Sequence, residues 1–185
     1  MNKADLSRQA TAVREEIGLG PFDVLDPYKL AVQWGIDVYQ LSESDCHPDA
    51  REHFMVLRSS VLSGMLVPVA TGAVILENDS HDPLRRRSTM GHELAHVILW
   101  HEFKPGIVDE RKCRLSSKED EAEAAYFGGE LLLPLKAAQS MAFRDFTDEQ
   151  AALKFQVSLE IARWRMNGTG ARNYAKNAKA KAARR

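Results

Sequence analysis

Apolar residues recur at every third or fourth position over much of this chain, which is the spacing of an amphipathic helix. In the first such segment, residues 4–17, one side carries Leu6, Ala10, Val13 and Ile17, and Gly18 or Gly20 is the expected end. Further helix starts are marked by N-cap residues or by proline at the first helical position. They are Asp26-Pro27, Asp82-Pro83, Ser117, Pro134, Thr147 and Ser158. The helix that starts at Asp82-Pro83 should run to about His101.

Between the second and third of these helices, the pattern changes to four short apolar stretches separated by Ser, Gly and Pro. They are residues 36–41, 54–57, 65–70 and 73–76. Stretches of this length predict strands, and we expect a small antiparallel sheet. The predicted fold class is α+β: a mostly helical single domain with the sheet packed near the helix that follows it.

The composition is that of one ordinary globular domain, with 185 residues, 44% of them hydrophobic and 28% charged. We place the domain at residues 1–171, with a helix-turn-helix-like pair at 148–168 inside it and a basic tail at 172–185. The tail has six Lys or Arg residues and no acid, so its charge is about +6. Because the whole chain has a net charge of −1, residues 1–171 carry a net charge of about −7. An acidic body argues against nucleic acid as the main partner, although the tail leaves that partner open.

The N-terminal segment is polar, without the apolar core of a signal peptide, and no apolar run is long enough to span a bilayer. We therefore expect a cytoplasmic protein with no membrane partner. Nothing in the sequence indicates the oligomeric state.

The segment His92-Glu93-Leu94-Ala95-His96 carries the main chemical signal of the chain. On a helix, residues four apart lie one above the other on the same face, so the two imidazoles can bind one metal ion. The carboxylate of Glu93 stands where it can take a proton from a water that the metal activates. This spacing is the zinc-hydrolase signature, and it predicts Zn²⁺ as cofactor, His92 and His96 as metal ligands and Glu93 as catalytic base.

A catalytic zinc site usually has three protein ligands and a water molecule. The acidic start of the helix after Ser117 is the best source of the third ligand. It contains Glu119, Asp120, Glu121 and Glu123. Periodicity alone does not choose among these four, because neighbours on a helix point in different directions.

The His-Glu-x-x-His motif, taken together with residues 121–134, resembles the ImmA/IrrE family of zinc-dependent metallopeptidases. In that family, the motif is coupled to a segment reading Glu-x-x-Ala-Asn-x-Phe-Ala-x-x-Leu-Leu-Met-Pro, and here the segment reads Glu-Ala-Glu-Ala-Ala-Tyr-Phe-Gly-Gly-Glu-Leu-Leu-Leu-Pro. The resemblance covers most of the chain from about Leu25 to Gly168. It implies that Glu121 is the third zinc ligand, with Glu123 as the alternative.

Three residues depart from the family pattern: Ala125 replaces the usual Asn, Gly128 the usual Ala, and Ser88 a common Phe. The change at Ala125 removes a side chain that could hold a ligand in place, which predicts weaker metal binding or activity. The candidates for stabilising the oxyanion are Tyr126, Tyr39 and His53. We assign His101 to the surface, half a turn from the ligand face.

Three arginines, Arg85, Arg86 and Arg87, stand in the first turn of the predicted metal-binding helix. Cations at this end oppose the helix dipole. We interpret them as solvated charges, with an ion pair or a partner as the alternative.

The resemblance implies a bacterial or phage metalloendopeptidase that cleaves or inactivates a helix-turn-helix repressor and so switches on stress-response or mobile-element genes. A strand beside the zinc helix could hold the substrate by accepting it as an added strand. The alternative is a non-proteolytic regulator or toxin-antitoxin component. It would bind protein or DNA through the basic tail and the C-terminal helices, which carry Arg163 and Arg165.

Overall fold

A computed structural model describes residues 1–69, 72–101 and 117–183 of the chain. In these residues, the fold is α+β and mostly helical, as predicted, with one small sheet. The elements are α1 (Lys3–Glu16), α2 (Pro27–Gln33), β1 (Val38–Gln40), α3 (Pro48–Glu52), β2 (Gly64–Val69), β3 (Gly72–Glu77), α4 (Pro83–Ile98), α5 (Lys118–Leu132), α6 (Leu135–Phe143), α7 (Asp148–Phe155), α8 (Leu159–Arg163) and α9 (Ala171–Ala182).

Each predicted capping signal stands at the start of a helix, whereas α3 and α9 begin at residues for which no start was predicted. The side chains of Asp26, Asp82 and Ser117 each accept a hydrogen bond from a backbone N–H in the first turn of α2, α4 and α5. Thr147 and Gln150 form a reciprocal capping box at the start of α7. Helix α4 ends at Ile98, three residues before the predicted end.

The sheet is mixed and has the strand order β1-β3-β2. Strands β2 and β3 form the expected antiparallel pair, from Gly64↔Glu77 to Val69↔Gly72. The prediction of a wholly antiparallel sheet is wrong for β1, which pairs with β3 in parallel. The chain between them adds β2 and brings β3 back alongside β1 in the same direction, and short apolar runs do not encode that direction.

The predicted strand at 54–57 is instead part of a π-helical turn, His53–Leu57. A four-residue apolar run has no periodicity that separates a strand from a turn of helix. Tertiary contacts set the conformation here: the buried side-chain amide of Asn78 donates to the carbonyls of Phe54 and Leu62, at 2.8 Å each. These bonds hold the turn against the end of β3.

Among the three arginines of the first turn of α4, the interpretation as solvated charges is wrong for Arg86 and Arg87, which are partly buried and have tertiary partners, whereas Arg85 is exposed as expected. Arg86 donates at 2.7 Å to buried Glu77, which also accepts from the Tyr28 hydroxyl at 2.5 Å. Burial and the Glu77 hydrogen bond raise the pKa of Tyr28. Arg87 donates to the carbonyls of Leu25 and Gln156, and Arg85 to the hydroxyl of Ser63. The unfavourable dipole position is thus offset by contacts that link α4 to α2 and β3.

Helix α5 packs against both α1 and α4 and forms the centre of the core. Its contact with α4 is close because Gly91 and Gly128 face each other: a Cβ on Gly128 would lie 2.7 Å from the carbonyl oxygen of Gly91. Two buried arginines satisfy carbonyls at the C-terminal end of α5. Arg14 donates to Leu131, and Arg165 donates to Leu133 and forms an ion pair with Glu130.

Helix α9, which contains most of the predicted tail, packs on α6 through buried Ala171 and Ala175. Residues 184–185 of that tail lie outside the described residues. Of the helices that the structure describes, none combines the length and apolar character needed to cross a membrane.

Candidate metal centre

The two histidines of α4 lie one turn apart and direct their Nε2 atoms toward the same point. These atoms are 3.2 Å apart. The His96 side chain is buried, whereas that of His92 is about a quarter exposed. The site therefore opens to solvent on the His92 side.

Helix α5 brings Glu121 to the same point. One carboxylate oxygen lies 3.2 Å from Nε2 of His92 and the other 3.5 Å from Nε2 of His96. Tetrahedral ligands about 2.0–2.1 Å from a zinc ion are about 3.3 Å from one another. The two imidazole nitrogens have about this spacing, each carboxylate oxygen of Glu121 lies at a similar distance from one of them, and one ligand atom from each residue lies within 4.8 Å of the other two. Two imidazoles and a carboxylate so arranged fit a divalent metal ion such as zinc.

The alternative ligand, Glu123, lies elsewhere. Its carboxylate contacts His101 and the amino group of Met1. Because Glu121 and Glu123 are two positions apart on α5, they point to different sides of the helix. Of the four acids that the sequence leaves open, the described structure brings Glu121 to the two histidines.

Glu93 is 3% exposed and lies at the base of an open cleft of about 540 Å³ beside His92. Strand β2 forms one wall, and its Gly64 approaches so closely that an added Cβ would be 3.6 Å from Cγ of Glu93 and 2.7 Å from Cγ2 of Thr89. Helix α8 and the turn after it form another wall, with Ile161 and Trp164. An extended peptide in this cleft would therefore lie against both Glu93 and His92.

The three departures from the family pattern have distinct structural effects. Ala125 lies exposed in the cleft, one turn after Glu121, and leaves that part of the cleft open. The Ser88 hydroxyl accepts from the backbone N–H of Ser158 at 2.9 Å and joins α4 to the start of α8. Gly128 permits the close contact between α4 and α5.

None of the three predicted oxyanion-stabilising residues is among the described residues that line the cleft. Tyr126 is buried, and its hydroxyl is 3.1 Å from that of Ser7. Tyr39 belongs to β1, at the far edge of the sheet from β2, and His53 lies in the π-helical turn.

His101 is a part of the site that the sequence assigned to the surface. Its side chain is 8% exposed, and its Nδ1 lies 3.0 Å from Nδ1 of His96. Burial, followed by the proximity of His96, lowers the pKa of His101. The assignment was wrong because it assumed that the helix continues to residue 101.

The chain reverses at Trp100, which has a left-handed conformation with φ of 55°. The N–H of His101 bonds to the carbonyl of His96 and that of Trp100 to the carbonyl of Val97, which together form a Schellman motif. This motif turns His101 back onto the last turn of α4. Glycine is the usual sequence signal for such a turn. Because Trp100 occupies the left-handed position here, the sequence did not indicate the turn.

The C-terminal helix pair does not expose both of its candidate DNA-contacting residues. Arg165 is fully buried and paired with Glu130, whereas Arg163 is exposed, with Glu149 at 4.0 Å. The second helix of the pair instead contributes to the cleft.

Comparison with known families shows that the model of the IrrE N-terminal-like domain, Peptidase_M78, matches residues 50–167. The match covers more than half of the chain and includes β2, β3, the helices α4 and α5 that carry the candidate metal ligands, and the cleft wall formed by α8. No curated protein and no solved structure matches the chain.

Proposed function

This chain belongs to the IrrE N-terminal-like family of metal-dependent peptidases, Peptidase_M78, and we propose that it is a zinc metalloendopeptidase. The observation that carries the proposal is the convergence of His92, His96 and Glu121 beside the buried carboxylate of Glu93, at the base of a peptide-sized cleft.

In this proposal, His92, His96 and Glu121 hold the zinc ion. When bound, zinc lowers the pKa of water and polarises the scissile carbonyl. Glu93 accepts a proton as the water attacks and then donates it to the leaving amine. Because Glu93 is buried, few solvent molecules compete for its carboxylate, and the proton stays available for the second transfer.

The edge of the sheet supports binding of the substrate as an added strand. The N–H of Asn78 donates to the carbonyl of Ser63 at 3.0 Å. Because the residues of an antiparallel pair alternate between hydrogen-bonded and non-hydrogen-bonded positions, this bond indicates which residues of β2 point their backbone groups toward β3. Leu66 and Pro68 fall on the alternate positions, whose backbone groups point away from β3. Proline has no N–H, so we expect a peptide to pair with β2 through the backbone of Leu66, before Pro68.

We propose that the substrate is a helix-turn-helix repressor, whose cleavage would switch on stress-response or mobile-element genes. The support is the family resemblance together with a cleft open enough for an extended protein segment. The predicted location is the cytoplasm, where such a repressor acts.

The test is the Glu93→Gln variant, loaded with zinc and incubated with peptide libraries and with candidate repressors, with mass spectrometry identifying new termini. We expect cleavage to fall by about 10²–10⁴-fold while zinc content is unchanged, because only proton transfer is lost. Glu119→Gln, at an exposed position in the first turn of α5, is the matched control. Cleavage by the Glu93→Gln variant at the wild-type rate would exclude this mechanism.

The same experiment tests the alternative, a regulator that acts by binding. Under that alternative, the Glu93→Gln variant would bind and inactivate its partner as well as the wild type, without new termini.

A further inference from the structure

We propose that His101 and Glu123 are positioning residues that hold His96 in its metal-binding tautomer. The inference rests on the proposed function only in taking His92, His96 and Glu121 as the ligands of a metal ion.

The direction of the two rings carries the inference. His96 points its Nε2 toward the other two ligand atoms and its Nδ1 toward Nδ1 of His101, at 3.0 Å. An imidazole that binds metal through Nε2 carries its proton on Nδ1 and can donate it. Nδ1 of His101 must then be the acceptor, so its own proton is on Nε2.

Glu123 favours that same tautomer of His101. The Nε2 atom of His101 is buried and, within the described part of the chain, has no hydrogen bond, but it lies 3.6 Å from a carboxylate oxygen of Glu123. A small rotation of either side chain would complete the bond. The order Glu123, His101, His96 thus extends the usual carboxylate-histidine-metal arrangement by one imidazole.

His101 is not placed to be a fourth ligand. It contacts His96 on the ring edge opposite to the Nε2 atom that faces His92 and Glu121. The Schellman motif at Trp100 fixes it there, because its backbone N–H bonds to the carbonyl of His96 itself. Both the backbone and the side chain of His101 therefore contact the same ligand residue.

The experiment compares full-length wild type with His101→Phe, His101→Gln and Glu123→Gln. The first readout is the zinc dissociation constant, measured by competition with a chromophoric chelator. We expect zinc binding to weaken about 10–100-fold in His101→Phe, which removes the acceptor. His101→Gln keeps an acceptor and should recover most of the affinity. Glu119→Gln, one turn before Glu123 on α5, is the control for the loss of a charge from this helix.

The second readout does not need metal or activity. The ¹⁵N shifts of the histidine rings in the zinc-free protein report the tautomer of His96. We expect the Nδ1-protonated form in wild type and His101→Gln, and a mixture in His101→Phe. A purely structural role for His101 would lower the melting temperature without moving this tautomer.

The outcomes separate the two proposals. If wild type binds no zinc, the proposed function and this inference both fail. If wild type binds zinc but His101→Phe binds it equally well with the same His96 tautomer, the inference alone is overturned. Should His101→Phe fail to fold, Glu123→Gln carries the same test, with a shift in the tautomer of His101 as the expected result.

Discussion

Replacing Gly128 by Ala tests whether the close contact between α4 and α5 sets the geometry of the metal centre. A Cβ at position 128 would lie 2.7 Å from the carbonyl oxygen of Gly91, and ordinary contacts begin at 3.4 Å. The helices would have to separate by about 0.7 Å, since the obstacle is backbone and cannot rotate away. The added Cβ would also contact the backbone of a candidate ligand residue on α4, because it would be 3.1 Å from the backbone nitrogen of His92.

Two effects oppose each other in this variant. Alanine in place of glycine in a helix interior stabilises by about 1 kcal/mol. Overpacking costs about 1–3 kcal/mol, so we expect a net loss of about 1 kcal/mol and a fall in Tm of about 2–4 °C. Zinc ligands tolerate shifts of about 0.2 Å, and a separation several times larger should weaken zinc binding at least about 10-fold.

The assay is thermal unfolding together with a zinc competition titration. Ala122→Gly, at an exposed position of the same helix, calibrates helix propensity and should lower Tm without changing zinc affinity. A Gly128→Ala protein that is more stable than wild type and binds zinc equally well would refute the reasoning, because propensity would then outweigh packing.

Three further changes follow from single contacts. Glu130→Met leaves the fully buried Arg165 guanidinium without its ion-pair partner, and we expect the free energy of unfolding in chemical denaturation to fall by about 3–5 kcal/mol. The double variant Glu130→Met/Arg165→Met should lose much less stability, and equal losses in the two variants would argue against the ion pair. Trp100→Gly removes a bulky side chain from a left-handed position and should raise Tm by about 2–4 °C with unchanged zinc affinity. Removing zinc with a chelator should lower the Tm of wild type but not of His96→Ala, and identical shifts would indicate binding elsewhere.

The sequence predicted the helices well because their signals are local. A capping side chain, a proline at the first helical position and a repeat of three to four residues all act within one element, as at Asp82-Pro83 and Thr147. The pairing of β1 with β3 and the turn at 54–57 were not predictable in this way. Both depend on contacts between residues far apart in the chain: the ladder from Val38↔Ile75 to Gln40↔Glu77 for the strands, and the Asn78 hydrogen bonds for the turn.

The candidate metal site also has one part that the local sequence predicts and one part that depends on tertiary structure. The spacing of His92 and His96 places two imidazoles on one face of any helix, so half of the metal group is encoded locally. The choice of Glu121 over its neighbours came from the family resemblance, and the folded chain brings that residue to the histidines through the crossing of α4 and α5. The absence of side chains at Gly91 and Gly128 sets how closely those helices approach.

By itself, the sequence determined that His92 and His96 can bind one metal ion, where most of the helices begin and which carboxylate stands beside the first histidine. The tertiary structure decided what surrounds them: the tertiary partners of Arg85, Arg86 and Arg87, and the position of His101 behind His96. The physical reason is that helix periodicity fixes directions only within an element. Where the chain reverses at Trp100, or where two helices cross, packing and backbone hydrogen bonds set the direction instead.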